Sequence, residues 1–258
     1  MSRSLGNVAL HANVTDVKVG VYVDAFNLYY GMRGHCGRGT AGWRWLDIRA
    51  LAADLCRWHG AAVERIVYCT AYVDQTDNLG AFADQSVYIK ALREHGSIDV
   101  LELGYYVAWP KRLPLAEELP DGRAKLVVPS GAETWKGLPI TRVTNANDDV
   151  FMVTVRNREE KGSDVNVATH LLADIFRGDV EAAIVISNDS DLALPLSIAR
   201  SMVPVGTVNP GAKPLAGALK GDRNEGPGHH WWRKLCDQDY YNHQMPNPVG
   251  PFYRPIGW

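Results

Sequence analysis

Short apolar, β-branched runs alternate along the chain with longer stretches whose apolar positions recur every three or four residues. The runs are "KVGVYVD" (18–24), "RIVYCTAYVD" (65–74), "SIDVLELGYYVA" (97–108), "VFMVTVRN" (150–157), "AAIVIS" (182–187) and "VPVGTVN" (203–209). Helical spacing covers Trp45 to Trp58, Leu79 to Glu94, Val165 to Phe176 and Asp191 to Ser201. Strands alternating with helices predict a mainly parallel sheet in an α/β layered fold. Helices on both faces of that sheet account for strands that are apolar throughout.

Two segments depart from this rhythm. Residues 109–149 contain Pro110, Pro114, Pro120, Pro129 and Pro139 and show little periodicity, so they read as an insertion, a hairpin or lid, within a single domain spanning 1–241. From Asn242 to Trp258 the chain is Pro-rich, which predicts an extended tail, and its aromatics predict that the tail docks.

In an open α/β sheet, ligands gather at the carboxyl ends of the strands, near the point where strand order reverses. The first strand ends at Asp24, with Asn27 three residues on; Asp74 closes the second; the run at 182–187 leads into Ser187-Asn188-Asp189-Ser190-Asp191. Helix spacing adds Asp164, which continues the stripe of Ala168, Leu171 and Ile175 expected to face the sheet. Asp24, Asp164, Asp189 and Asp191 are thus candidates for one cleft. Carboxylates that close repel one another, and a cation relieves the repulsion. All-oxygen ligands favour Mg2+ or Mn2+ over zinc or copper. Such an ion polarises a phosphoryl oxygen and generates a hydroxide nucleophile, which is the chemistry of phosphodiester hydrolysis. Taken singly, each residue also has a plainer reading: Ser163, Asp164, Ser190 or Asp191 as helix caps, Asp24 and Asp74 as turn residues.

Composition changes this picture little. A hydrophobic content of 46% and a net charge of −2 over 258 residues suit an ordinary globular chain and neither favour nor exclude nucleic acid. No apolar run reaches the length of a membrane-spanning helix, and the first twenty residues lack the apolar stretch of a secretory leader. Cys36, Cys56, Cys69 and Cys236 are scattered without metal-site spacing, so reduced thiols and a cytoplasmic location are expected.

"VGVYVDAFNLYYG", "EEKGSDVNVATHLLAD" and "AAIVISNDSDLALPL" resemble the three signature blocks of the NYN domain family, a branch of the PIN-like nucleases. The similarity is greatest to its bacterial LabA-like, DUF88-type subgroup, which "DQSVYIKAL" also resembles, and it runs from about Lys18 to Asn209, extending to "HHWWRKLC" at 229–236. The resemblance implies a three-layer α/β/α sandwich and a metal-dependent endoribonuclease using Mg2+ or Mn2+. Asp24, Asp189 and Asp191 would hold the ion directly or through water, Asp164 would complete the site, and Asn27 would orient the ligands. Ser187 matches the small hydroxyl residue before the acidic pair, and Asn188 stands where many members have glycine. Residues 109–149 have no counterpart in a minimal domain of the family.

Other chemistries find less support. "GRGTAG" (37–42) has dinucleotide-fingerprint spacing but does not follow its strand directly, and reads as a loop beside Asp24. An aspartyl phosphatase wants an acid where Phe26 stands, no G-x-S-x-G elbow is present, and His170 reads as a packed or surface residue of its helix. A non-catalytic RNA-binding or adaptor module and a structure-specific DNA nuclease stay open as alternatives. For substrate holding, Arg200, Lys213, Lys220, Arg223, Arg233 and Lys234 surround Trp231 and Trp232, a mix that suits single-stranded nucleic acid, although a solvated face with anchoring tryptophans explains it too. RNA is the expected partner and a membrane is not; a homo-oligomer is compatible with the sequence.

Overall fold

The computed structural model describes residues 17–127, 137–144 and 149–258. Pro129 and the segment expected to lack a leader (1–16) lie outside the described residues. β1 (Val17–Asp24) passes into α1 (Ala25–Cys36) without a loop residue, because Asp24 ends the strand and caps the helix by accepting from the Asn27 amide. α2 (Ile48–Leu55), β2 (Ala61–Thr70), α3 (Leu79–Glu94) and β3 (Val100–Leu103) follow. Next come β4 (Tyr105–Pro114), β5 (Ala116–Glu118), β6 (Ala124–Leu126), β7 (Ile140–Thr144) and β8 (Asp149–Lys161). The chain continues with α4 (Ser163–Arg177), β9 (Ala182–Ile186), a 3-10 turn (Ser190–Leu192), α5 (Ala193–Arg200) and β10 (Val205–Asn209). It ends in α6 (Gly217–Lys220), β11 (Trp231–Lys234) and α7 (Asp237–Asn242).

The chain divides into two compact units, one made of residues up to Tyr105 with Gly162–Trp258, the other of Tyr106–Lys161. The first is a three-layer α/β/α sandwich. Its six strands are all parallel, in the order β11-β10-β9-β1-β2-β3. Strand order therefore runs outward from β1 in one direction for β2 and β3, and in the other for β9, β10 and β11. The reversal lies between β1 and β9, which is where such sheets place their ligands.

Strict alternation along β1 divides the core. Val19, Val21 and Val23 pack with Leu28, Trp43, Leu46, Leu51, Leu92 and Tyr240 under the helices of one face. Tyr22 packs with Val67, Cys69, Val167, Leu171, Val185 and Leu196 under α4 and α5 on the other. Close approach also limits side-chain size: a Cβ on Gly31 of α1 would lie 2.4 Å from the Pro210 carbonyl oxygen beyond β10. The C-terminal segment docks as its aromatics predict. The Trp45 indole donates to the Pro246 carbonyl at 2.9 Å, and the Trp258 ring lies 5.7 Å from that of Tyr88.

The second unit carries a three-stranded sheet ordered β4-β8-β7 and a β5-β6 hairpin. It is wider than the insertion read at 109–149, because the run at 150–157 pairs antiparallel with β7 and not with the parallel sheet. The run at 97–108 likewise splits at Gly104, with β3 in the parallel sheet and β4 in the three-stranded one. The strand read to Asp74 stops at Thr70, and Asp74 instead braces the following turn, accepting from the Thr76 amide and hydroxyl. α1 was not among the helices its weak apolar spacing predicts, and "WWRK" is an edge strand.

Deep under α4, the Tyr22 hydroxyl donates to Asp174 Oδ2 at 3.0 Å, and Arg65 Nε lies 3.0 Å from the same oxygen. Burial, then the Asp174 charge, push the Tyr22 phenol above its ordinary value of 10. Burial also raises Tyr68 and Tyr240. A phenol whose folded value is raised contributes stability that is whole below about pH 10 and is lost as pH rises beyond it. Tyr22→Phe should cost about 1–3 kcal/mol at neutral pH, because it leaves a buried carboxylate short of a donor, and should lessen the alkaline loss. Urea unfolding at pH 7 and pH 10.5, about half a unit above the ordinary phenol value, tests both; equal stability of the two proteins at pH 7 would exclude this role for the phenol.

Candidate functional site

Asp24 and Ser187 stand on the two strands that flank the reversal. Val23 pairs with Ile186, so the next position on each strand brings these two residues side by side. Both are buried, and the Ser187 hydroxyl donates to Asp24 Oδ2 at 2.9 Å while Asp24 Oδ1 accepts from the Asn27 amide at 3.0 Å. The Ser187 oxygen in turn accepts from the Asp189 amide at 3.1 Å. Asp189 begins the 3-10 turn and accepts from the Asp191 amide at 3.0 Å. One hydroxyl thus links the end of β1 to the turn that carries the acidic pair.

Asn27 and Asn188 hold the surrounding backbone. Asn27 Oδ1 accepts from the Asn188 amide at 3.0 Å. The Asn188 carboxamide accepts from the Ala216 amide and donates to the Pro214 carbonyl, at 2.8 and 3.1 Å, fixing the loop after β10. Asp189 is half-buried and Asp191 exposed. The Asp24, Asn27, Ser187, Asn188 and Asp189 side chains make local hydrogen bonds, so for these five capping and the assembly of a site are the same set of contacts.

Register extends the row across β2 and β3: Asp24 pairs with Cys69, and Cys69 with Glu102. Each lies two residues beyond a position that packs under α4 (Tyr22, Val67, Val100), so all three side chains face α4. Asp164, half-buried, lies in the first turn of that helix. The Cys69 thiol registers the convergence. Burial pushes it up first, followed by the negative charges of Glu102, Asp24 and Asp164. It therefore stays protonated at neutral pH and is no nucleophile.

Glu102 is the residue that sequence reasoning passed over. It lies one residue before the end of β3, inside a run whose apolar pattern continues to Ala108. Its carboxylate oxygen lies 2.9 Å from His170 Nε2. His170, read as a packed or surface residue of its helix, is part-buried there and partners Glu102 at the rim of the row.

The basic residues expected to hold substrate are spread over the molecule. Arg223 precedes β11, at the amino-terminal edge of the sheet opposite the acidic row, with its guanidinium 4.4 Å over the Trp232 ring. Arg233 lies on the α2 and α7 face, bound to Asp239 and 3.5 Å from Asp54. Lys234 reaches the carboxyl-terminal edge, where its ammonium donates to the Ala212 carbonyl at 2.9 Å. The "GRGTAG" loop starts at the end of α1 remote from Asp24, about 18 Å along the helix, and the chain then returns along α1 to place Trp43 against Tyr29.

Apart from the protonated Cys69 thiol and the His170 ring at the rim, the donors around the row are carboxylate oxygens, which suit a hard divalent cation. Among the described residues no three His, Cys, Asp or Glu side chains come together closely enough to enclose a metal ion. This arrangement fits an ion bound through one or two carboxylates with water completing its shell, as is usual for Mg2+, and not a closed cage.

Among known proteins, the chain is similar to 6-hydroxy-3-succinoylpyridine 3-monooxygenase HspA of Pseudomonas putida (strain DSM 28022 / S16), with 28% identity over 211 residues. That match takes in 74% of this chain and 58% of the relative, so the chain spans less than two thirds of that protein's length. A solved structure of a protein of unknown function from Vibrio parahaemolyticus RIMD 2210633 is also similar, with a TM-score of 0.46 and 14% identity, covering 88% of this chain and 96% of that one. No family model matches the sequence.

Ser187→Ala should destabilise the fold by about 1–3 kcal/mol, since it leaves a buried carboxylate oxygen and the Asp189 amide without their shared hydroxyl. Asp191→Asn, at an exposed position, should change stability by less than about 0.5 kcal/mol. Urea unfolding of both variants checks the contrast; equal effects would mean that the hydroxyl bridge does not hold the turn.

Proposed function

We propose that the protein is a metal-dependent endoribonuclease that hydrolyses RNA phosphodiester bonds. The observation that carries this reading is the position of Asp24, Ser187 and Asp189 at the reversal of a parallel sheet, with Glu102 on the same face and Asp164 in the first turn of the helix that covers it. Asp24 is rigid, held by Ser187 and the first turn of α1, and offers an oxygen ligand that does not need to be ordered when an ion arrives. Asp164, Asp189 and Asp191 supply further oxygens, directly or through water. Asn27 and Ser187 position these carboxylates by fixing the backbone between them. A bound Mg2+ or Mn2+ would supply Lewis acidity toward the phosphoryl group and a hydroxide from water.

The same acids would serve a DNA nuclease, and RNA is distinguished by contacts to its 2′-hydroxyl. A non-catalytic RNA-binding module on this fold would bind without cleaving. The similarity to a protein named as a 6-hydroxy-3-succinoylpyridine 3-monooxygenase supports a separate reading, oxygenation at carbon 3 of a pyridine ring, which requires O2 and a two-electron donor. No helix among the described residues is long and apolar enough to cross a membrane. All four cysteines are free, and we place the protein in the cytoplasm.

Labelled single-stranded RNA and DNA should be incubated with the protein in Mn2+, in Mg2+ and in excess chelator. RNA should be cut with either ion and left whole in chelator. Cleavage in chelator would remove the metal from the mechanism. No cleavage under any condition, with turnover of 6-hydroxy-3-succinoylpyridine in the presence of O2 and a reductant, would favour the second reading.

Asp189→Asn separates a metal ligand from a simple cap, because the amide oxygen can still accept from the Asp191 amide. In chelator the variant should be as stable as the parent, or more stable by about 1 kcal/mol, as like charge is removed. In Mn2+ the order should narrow or reverse, because the parent gains more from binding. Cleavage should fall by orders of magnitude. Thermal melts with and without ion, beside one cleavage assay, decide it; lost stability in chelator with activity intact would return Asp189 to a capping role.

A further inference from the structure

The helix that Asp24 caps carries a surface of a different kind. Tyr30 is 59% exposed and Tyr29 37% exposed. Their rings meet edge to face at 5.4 Å, and Tyr29 lies 6.0 Å from the buried Trp43, which backs it against the core. The Arg33 guanidinium sits 5.8 Å from the Tyr30 ring. Arg33 and Arg38 take part in no ion pair among the described residues, whereas Arg44 is spent on the Gly257 and Arg38 carbonyls. Tyr30 and Arg33 follow Asn27 at successive three-residue steps, so they continue from the site down a neighbouring strip of α1. Tyr30 lies about 9 Å along the helix from Asp24.

An exposed aromatic face beside cations without acidic partners matches a strand with bases to stack and phosphates to neutralise. Gly31 presses this helix against the Pro210 carbonyl, and Asn27 ties it to the acidic turn, so the surface keeps a fixed relation to the row of acids.

We propose that Tyr30, supported by Tyr29 and flanked by Arg33, is a stacking platform for single-stranded RNA entering or leaving the acidic site. This rests on the ribonuclease reading above. The site's strand-holding surface would then be α1, and not the basic segment at 223–234.

The test is binding of a fluorescent single-stranded RNA to the full chain in chelator, so that no cleavage intrudes, for the parent, Tyr30→Ala, Tyr30→Phe and Arg33→Gln. Tyr30→Ala should weaken binding about tenfold or more, while Tyr30→Phe, which keeps the ring, should bind within about twofold of the parent. Arg33→Gln should flatten the slope of log affinity against log salt by about 0.7. Thermal melts of the variants confirm that each is folded. If the parent binds RNA and all three variants match it in affinity and salt slope, the platform is overturned while the nuclease reading stands. If Tyr30→Ala instead breaks up a concentration-dependent dimer and leaves RNA binding alone, the surface serves a second copy and the proposal fails. A parent that neither binds nor cuts RNA overturns the platform together with the reading beneath it.

Discussion

The hydrogen bond from Ser187 to Asp24 joins β1 and β9, the two parallel strands between which the strand order reverses. Each partner has a second commitment: the Asp24 carboxylate caps α1, and the Ser187 hydroxyl receives the Asp189 amide. A buried carboxylate is costly unless it is hydrogen-bonded, and here the bonds that satisfy it also fix the helix and the turn on either side. Structural and chemical roles are therefore not rivals at this position. The contacts that would make Asp24 a mere cap are those that hold its oxygens still.

The parts of the fold legible in the sequence are those where one local signal decides. Runs such as "VGVYVD" and "AAIVIS" have too few polar positions to be anything but central strands, and α3 occupies the predicted Leu79–Glu94. The acids at strand ends were visible because a carboxylate closing a core run is unusual. α1 was hidden because "AFNLYYGMRGHC" has two glycines and two exposed tyrosines, and its stability comes from the Asp24 cap and from packing of Leu28 and Met32. Glu102 was hidden because periodicity cannot show where one sheet hands a strand to another, and Gly104 is the only mark of that break. β8 looked like a core strand for the same reason: a run of alternating residues does not reveal its partner.

The basic segment shows the opposite failure. Arg223, Arg233 and Lys234 are close in sequence, yet the strand they flank separates them by edge and by face. Arg223 stands before its amino end, and Arg233 and Lys234 point to opposite sides of it. Charge counted along a window is a good guide on a helix face or in a disordered tail. On a short edge strand it averages over surfaces that no single ligand can touch.

β1 and α1 meet with nothing between them, and this sets which changes in chain length the protein can absorb. One residue added between Asp24 and Ala25 would turn every side chain of the helix by about 100° and move each about 1.5 Å along the axis. Asn27 would leave the acidic turn, Gly31 would rotate off Pro210, and a bulkier neighbour would meet its carbonyl. A whole unit, by contrast, is accommodated between Tyr105 and Gly162. Insertions and deletions in related chains should therefore gather at that second junction and be absent from the first, whatever chemistry each relative performs.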